Sequence, residues 1–249
     1  MKTDWKKKKK RNKKGIVSRS LRFVGRLLLV FFFGSILQVL VFKWLPPFFT
    51  PVMLVEKLEG MFEKERQYNL KYKWAPIEKI SPYMVLAVIA SEDQGFADHF
   101  GVDIKAIEKA MEDNKRGRRL RGGSTITQQV AKNLFLWQGR DYFRKALEAY
   151  YSVLIELFWS KQRIAEMYVN IAEMGYGIYG VQSASNIFYN KDAIALTRNE
   201  AALLAAVLPN PKRFSAKKPS EYIIGRRNWI VKQMYQIGDK KYLEKIGLD

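Results

Sequence analysis

The sequence predicts a mainly α-helical domain preceded by one transmembrane helix. An unbroken apolar run, Leu27 to Phe42, follows a strongly basic stretch. Behind it, segments with helical spacing are punctuated by capping residues, glycines and prolines, which start and stop helices. No segment alternates apolar and polar residues over strand length, and no internal repeat is found.

Composition narrows the function classes. Hydrophobic residues make up 48% of the 249, enough for a sizeable core, which excludes disorder of the whole chain. Lys and Arg number 44 against 24 Asp and Glu, an imbalance that suits nucleic acid, anionic lipid or a phosphorylated substrate. Residues 1–26 hold twelve cations against Asp4 alone, more than half of that excess. The absence of cysteine excludes a disulfide framework and a thiolate metal site.

The first element is the anchor. With Phe23 to Gly25 upstream of the apolar run, the segment has about 20 residues, roughly what a helix needs to cross a hydrocarbon core. Arg26 and Lys43 can snorkel at its ends, Trp44 suits the interface, and Pro46-Pro47 stops the helix. A cleaved signal peptide has the same order of basic and apolar regions. The length of the run, and an exit from Lys43 to Phe49 without a small-x-small pattern, favour a retained anchor. Cations before the span place the amino terminus in the cytoplasm and the chain after about residue 50 outside, which argues against nucleic acid. The expected organisation is a basic cytoplasmic tail over 1–22, a transmembrane helix over 23–45 and a folded domain over 46–249.

Residues 52–68 read as an amphipathic helix near the membrane. Ser81-Pro82 starts the next helix, with Ser81 as N-cap and Pro82 in the first turn. Its body, Tyr83 to Ala90, is apolar nearly all round, so it should be buried and should deliver Glu92 and Asp93 at its end. Further helices are expected over 103–112, 124–134 with Ser124 as cap, 141–159, 160–174 closed by Gly175, 199–208 ended by Pro209, and 221–237. Residues 115–123 form a basic, glycine-rich loop.

Three clusters carry chemistry. Glu92-Asp93, followed by Phe96, the single histidine His99 and Gly101, sets carboxylates at the end of an apolar helix; taken alone, these are as well read as ordinary helix-end charges. Gly122-Gly123-Ser124 feeding a helix is an anion-binding geometry through free N–H groups and the helix dipole, with Gln128, Gln129 and Lys132 sharing a face that could equally be solvated. Arg140, Arg144, Lys145, Glu148 and Glu156 form the third, in which Arg144 and Glu148 suit a simple i,i+4 pair.

Together these stretches resemble glycosyltransferase family 51, the peptidoglycan glycosyltransferases, and most of all its monofunctional biosynthetic members. A first motif is matched by Glu92, Asp93, Phe96, His99 and Gly101. A second is matched in full from Gly122 to Asn133, and a third by Arg144, Lys145, Glu148 and Glu156. A fourth resembles Glu166 to Asn170 followed by Gly175, Gly177 and Tyr179 to Ala184, and a fifth Ala201 to Pro211. The likeness covers roughly residues 70–215, in the family's order.

The resemblance implies a lysozyme-like helical catalytic domain with a small membrane-proximal lobe. It implies a donor glycan chain held through a lipid diphosphate, and lipid II as acceptor. Glu92 matches the general base and Glu148 the second carboxylate, which either orients groups or holds a divalent metal. Lys132 and Arg140 match diphosphate contacts, Thr125, Gln128 and Gln129 sugar and phosphate contacts, and Arg144 and Lys145 further substrate contacts. Asp93, Phe96, His99, Ser124 and Asn133 match motif residues that hold the site in shape. The 115–123 loop is a candidate mobile cover. No cofactor is required by the resemblance; Mg or Mn at the donor diphosphate stays open. Partners implied are lipid II, the lipid-linked strand and the membrane, with cell-division or other cell-wall synthesis proteins as further candidates and no nucleic acid.

A transpeptidase domain is not expected: Ser215-Ala-Lys-Lys218 fits Ser-x-x-Lys, but its partner motifs are missing. One rival reading is an enzyme that cleaves glycan strands, which needs no diphosphate clamp. The other is a single-span protein whose basic tail binds anionic lipid or nucleic acid.

Overall fold

The computed structural model describes the backbone of residues 2–62, 68–104, 108, 112, 123–139 and 141–248, and side chains among these from residue 19 onward. The chain divides into two compact units, Met1–Trp44 and Leu45–Asp249. The first is one helix, α1 (Lys2–Trp44). Its part from Arg19 to Trp44, 26 residues, is long and apolar enough to cross a membrane. Leu27 to Phe33 are all exposed along it, as a lipid-facing surface requires.

The second unit is mainly helical, as the sequence predicts and in keeping with the lysozyme-like class. Its elements are α2 (Pro51–Phe62), β1 (Lys71–Tyr72), α3 (Pro82–Glu92), α4 (Ile126–Phe135), α5 (Tyr142–Phe158), α6 (Lys161–Ile171), β2 (Glu173–Gly175), β3 (Ile178–Tyr179), α7 (Val181–Tyr189), α8 (Arg198–Val207), α9 (Glu221–Gln236) and α10 (Lys240–Lys245). In α2 the buried Val52 and Met53 oppose the exposed Leu58, Met61 and Phe62. The remainder of the helix expected over 52–68 falls on residues 63–67, outside the described residues. Of the helix expected over 103–112, Ile104, Glu108 and Glu112 are helical and the rest lies outside them, as do residues 115–122 of the basic loop.

Helix α3 is the axis of the core. Met84 to Ala90 are all buried, and the helix packs against α6, α8, α9 and α10. A helix apolar on every side is stable only in such surroundings. Pro82 holds the first turn as expected, but Ser81 makes no capping bond. Its hydroxyl donates to the Leu196 carbonyl (2.8 Å), tying the helix start to the loop before α8.

Two expected boundaries are corrected. The cap of α4 is Thr125, not Ser124: Thr125 accepts from the Gln128 N–H while the Gln128 side chain accepts from the Thr125 N–H, a complete capping box. The helix expected over 160–174 ends at Ile171. Ala172 turns extended and its carbonyl accepts from the Gly180 N–H, freeing Glu173 to Gly175 to pair antiparallel with β3, which pairs parallel with β1. These strands of two or three residues are too short for an alternation pattern. Gly180 is required here: its φ is +79°, and a Cβ would lie 2.5 Å from the Asn170 carbonyl oxygen.

Candidate active site

The end of α3 and the start of α4 are locked together. Asp93, buried, accepts from the Ile126 N–H at 3.0 Å and from His99 Nε2 at 2.9 Å. Thr125 Oγ1 donates to the Gly101 carbonyl at 2.6 Å. A carboxylate at a helix start is favoured by the dipole and satisfies an otherwise orphaned donor. Phe96 is fully buried, with the Lys161 ammonium 4.6 Å from its ring centre. Lys161 also holds the His99 carbonyl and Glu156, and Glu156 accepts from Thr127. Asp93, Phe96, His99 and Glu156 therefore fasten the two motifs to each other.

Part of the expected set of free N–H groups at the start of α4 is engaged within the fold. The N–H groups of Thr125, Ile126 and Gln128 are already bonded to Gln128, Asp93 and Thr125. Side chains add positive charge beside this helix start.

Those side chains line a cavity of about 490 Å³ that contains Ser124, Gln128, Gln129, Lys132, Asn133, Arg144, Lys145, Glu148, Tyr168 and Glu173. Thr125 is not in its lining; its hydroxyl is buried and doubly bonded. Arg140 lies outside the described residues. Lys132 stands in the cavity without a hydrogen bond or ion pair among the described residues. Burial lowers its pKa, partly offset by Glu148, and Arg144 and Lys145 lower it further. A desolvated, unpaired ammonium is a receptor for an anion.

Glu148 is placed otherwise. It is 3% exposed, one carboxylate oxygen accepts from Arg144 Nη1 at 2.6 Å, and the other accepts from Lys145. Lys145 also donates to Ser124 at 3.2 Å. Both oxygens are thus engaged, and Glu148 links the two cations. A divalent ion would need carboxylate oxygens free to ligate it, and among the described residues no three His, Asp or Glu gather.

Glu92 reaches the cavity through Gln129. Gln129 Nε2 donates to Glu92 Oε2 at 3.0 Å, and Gln129 Oε1 accepts from the Tyr168 hydroxyl at 3.0 Å. Complete burial raises the Tyr168 pKa, with Glu92 and Asp93 adding to it, so Tyr168 stays a donor and fixes which end of the amide faces Glu92. On the other oxygen, Glu92 Oε1 accepts from Ser91 at 3.2 Å and lies 3.8 Å from Arg226 on α9.

Sequence reasoning missed Tyr168, Glu173 and Arg226. Tyr168 sits inside the fourth motif, between Glu166 and Asn170, and that membership is the available signal. Glu173 and Arg226 carry no local signal, because their neighbours come from distant segments. Burial pushes the Glu173 carboxyl up to about 7; the Gly177 N–H and Lys212 oppose this, and Glu56 adds to it. A second cavity, of about 340 Å³, is lined by Ile77, Ile80, Val85 and Leu248 among others and contains none of the motif residues.

Residues 59–235 match the family described as Transglycosylase. The chain is 51% identical over 226 residues to a protein of Xanthomonas campestris pv. campestris (strain B100) named biosynthetic peptidoglycan transglycosylase, covering 91% of this chain and 92% of that protein. It is 49% identical over 231 residues to a protein of the same name from Pseudomonas putida (strain F1), covering 93% of this chain and 98% of that protein. A Pseudomonas entomophila (strain L48) protein, again of that name, is 50% identical over the same length.

Proposed function

The chain belongs to the transglycosylase family and is a peptidoglycan glycosyltransferase that polymerises glycan strands; we propose that Glu92 is its general base and that Lys132 receives the donor diphosphate. The acceptor is the 4-hydroxyl of lipid II, and the donor is the growing strand on its lipid diphosphate. Glu92 takes the proton of the acceptor hydroxyl, whose oxygen forms the new bond to the donor anomeric carbon. The bond from that carbon to the diphosphate breaks, the electron pair leaves with the polyprenyl diphosphate, and inversion gives a β-1,4 link. A hydroxyl needs a base to become a competent nucleophile. An anionic leaving group needs positive charge more than an acid.

The observation that carries this reading is the pairing of roles on one helix. From α4, Gln129 holds Glu92 while Lys132, unpaired among the described residues, stands in the adjoining cavity. Arg144 and Lys145 add charge there, kept in place by Glu148. Ser124 and Asn133 line the same cavity, and Thr125 and Gln128 hold the start of α4. Arg140 is assigned to the diphosphate by the family likeness alone.

α1 anchors the enzyme in the bacterial inner membrane, crossing once. The organisation is a basic cytoplasmic tail over 1–22, a span over 23–45 and an extracytoplasmic catalytic domain over 46–249. The tail's charge suits the anionic inner leaflet. The membrane thus serves as partner and as the source of lipid II, with cell-division or other cell-wall synthesis proteins as further candidate partners.

The test is Lys132→Met in the full chain, assayed with a lipid-linked disaccharide and product sizing. Turnover should fall by about two to three orders of magnitude, with weakened binding of diphosphate-containing donor mimics and unchanged acceptor affinity. Full activity, or a loss confined to acceptor binding, contradicts the diphosphate role.

A further inference from the structure

The two oxygens of Glu92 are held from opposite sides by different parts of the chain. Oε2 is held by Gln129, itself fixed by Tyr168. Oε1 accepts from the Ser91 hydroxyl at 3.2 Å, and that hydroxyl accepts from Arg226 Nη2 at 3.2 Å. The same Nη2 lies 3.8 Å from Oε1, and the Glu92 side chain is only 17% exposed. We propose that Arg226, on α9 and outside every motif, is a positioning residue for Glu92, acting directly and through Ser91 to fix the carboxylate for proton abstraction.

Three features support this. First, the arrangement is directional: Arg226 can only donate, so Ser91 accepts from it and must turn its own proton toward Glu92. A hydroxyl polarised by a cation is a better donor than a free one. Second, Arg226 is committed to this position. Among the described residues its Nε is buried without a hydrogen-bond partner, a cost that the surrounding packing must offset to hold the side chain there. Third, the helix bearing it is held rigidly against the site. α9 packs on α3 and α8, Ile223, Ile230 and Met234 are buried, and Gln233 accepts from Gln94 beyond the end of α3. Without Arg226 and Ser91, nothing described holds Oε1, and the carboxylate can swing about its bond to Gln129.

The inference rests on Glu92 being the base, and the experiment separates the two claims. In full-length protein with a lipid-linked disaccharide substrate, kcat and KM are measured for Arg226→Met, Arg226→Lys, Ser91→Ala and Glu92→Gln. Misplacement of a catalytic group by about 1 Å can cost about 100-fold. Arg226→Met should therefore lower kcat by about 10- to 100-fold with KM nearly unchanged. Arg226→Lys should restore part of the loss, because an ammonium can still reach Ser91. Ser91→Ala should lower kcat in the same sense, and it tests the relay even if Arg226→Met misfolds, since it removes one half-buried hydroxyl from a helix. If Arg226→Met folds with wild-type kcat, or Ser91→Ala leaves kcat unchanged, the inference is overturned while the Glu92 reading stands. If Glu92→Gln itself keeps full turnover, the base assignment fails, and the inference with it.

Discussion

Gln129 Nε2 donates to Glu92 Oε2 across 3.0 Å, so a side chain of the second motif holds the carboxylate that opens the first. The bond is oriented from behind by Tyr168, which donates to the other end of the same amide. The order of the two motifs in the chain thus becomes a geometric coupling. α3 brings the carboxylate, and α4 brings both its holder and, three residues on, the cation of the neighbouring cavity.

Gln129→Leu, which keeps bulk but loses both bonds, should reduce kcat by about 10- to 100-fold through misplacement of Glu92. Tyr168→Phe loses one hydrogen bond, worth about 1 kcal/mol, and should reduce kcat less. Steady-state polymerisation rates check the ranking; a larger loss in Tyr168→Phe would contradict the proposed order of action.

Glu148→Gln should destabilise the fold as well as the reaction. Arg144 and Glu148 are 8% and 3% exposed, and breaking a buried pair by removing one partner costs about 3–5 kcal/mol. Thermal unfolding should show a clearly lowered Tm. A Tm equal to wild type would mean that Glu148 is not the organiser of Arg144 and Lys145.

The core helices were legible in the sequence because their signals are local. Pro82 and the apolar stretch after it mark α3, and Asp141 and Ser160 mark the starts of α5 and α6, each accepting from an N–H three residues on. At α4 the glycine pair suggests a start at Ser124, one residue before the true cap, although Thr125-x-x-Gln128 is itself a capping-box pattern. The short sheet was not legible, since β3 is fixed by pairing with residues about 100 positions away. In the site, motif residues were placed by likeness, but their partners were not. That Asp93 occupies the start of α4 and that Arg226 stands beside Glu92 are tertiary facts, whereas the Arg144–Glu148 pair is local to α5 and legible as an i,i+4 spacing.

Glu173 predicts a pH dependence. Burial raises its carboxyl to about 7, so in the folded protein it is neutral below that value and ionised above it. Ionisation places a negative charge in the wall of the cavity that contains Lys132. Affinity for a diphosphate-containing ligand should therefore fall as pH rises through about 7, and Glu173→Gln should remove that step. For stability the sign is the same: a carboxyl raised above its unfolded value favours the folded state at low pH, and that contribution is lost as pH rises to about 7. Isothermal titration over about three pH units centred on that raised value, well above the ordinary carboxyl range, checks the first claim; an identical step in the variant contradicts it.

The most direct test of the account is the rate of glycan polymerisation by Glu92→Gln in the full-length protein, with folding verified by its Tm. The amide keeps the shape of the side chain but cannot take a proton. The account predicts a near-wild-type Tm, retained binding of a diphosphate donor mimic, and a turnover lowered by at least the roughly 100- to 10,000-fold typical of lost acid–base catalysis. A correctly folded Glu92→Gln enzyme that polymerises lipid II at close to the wild-type rate would contradict it.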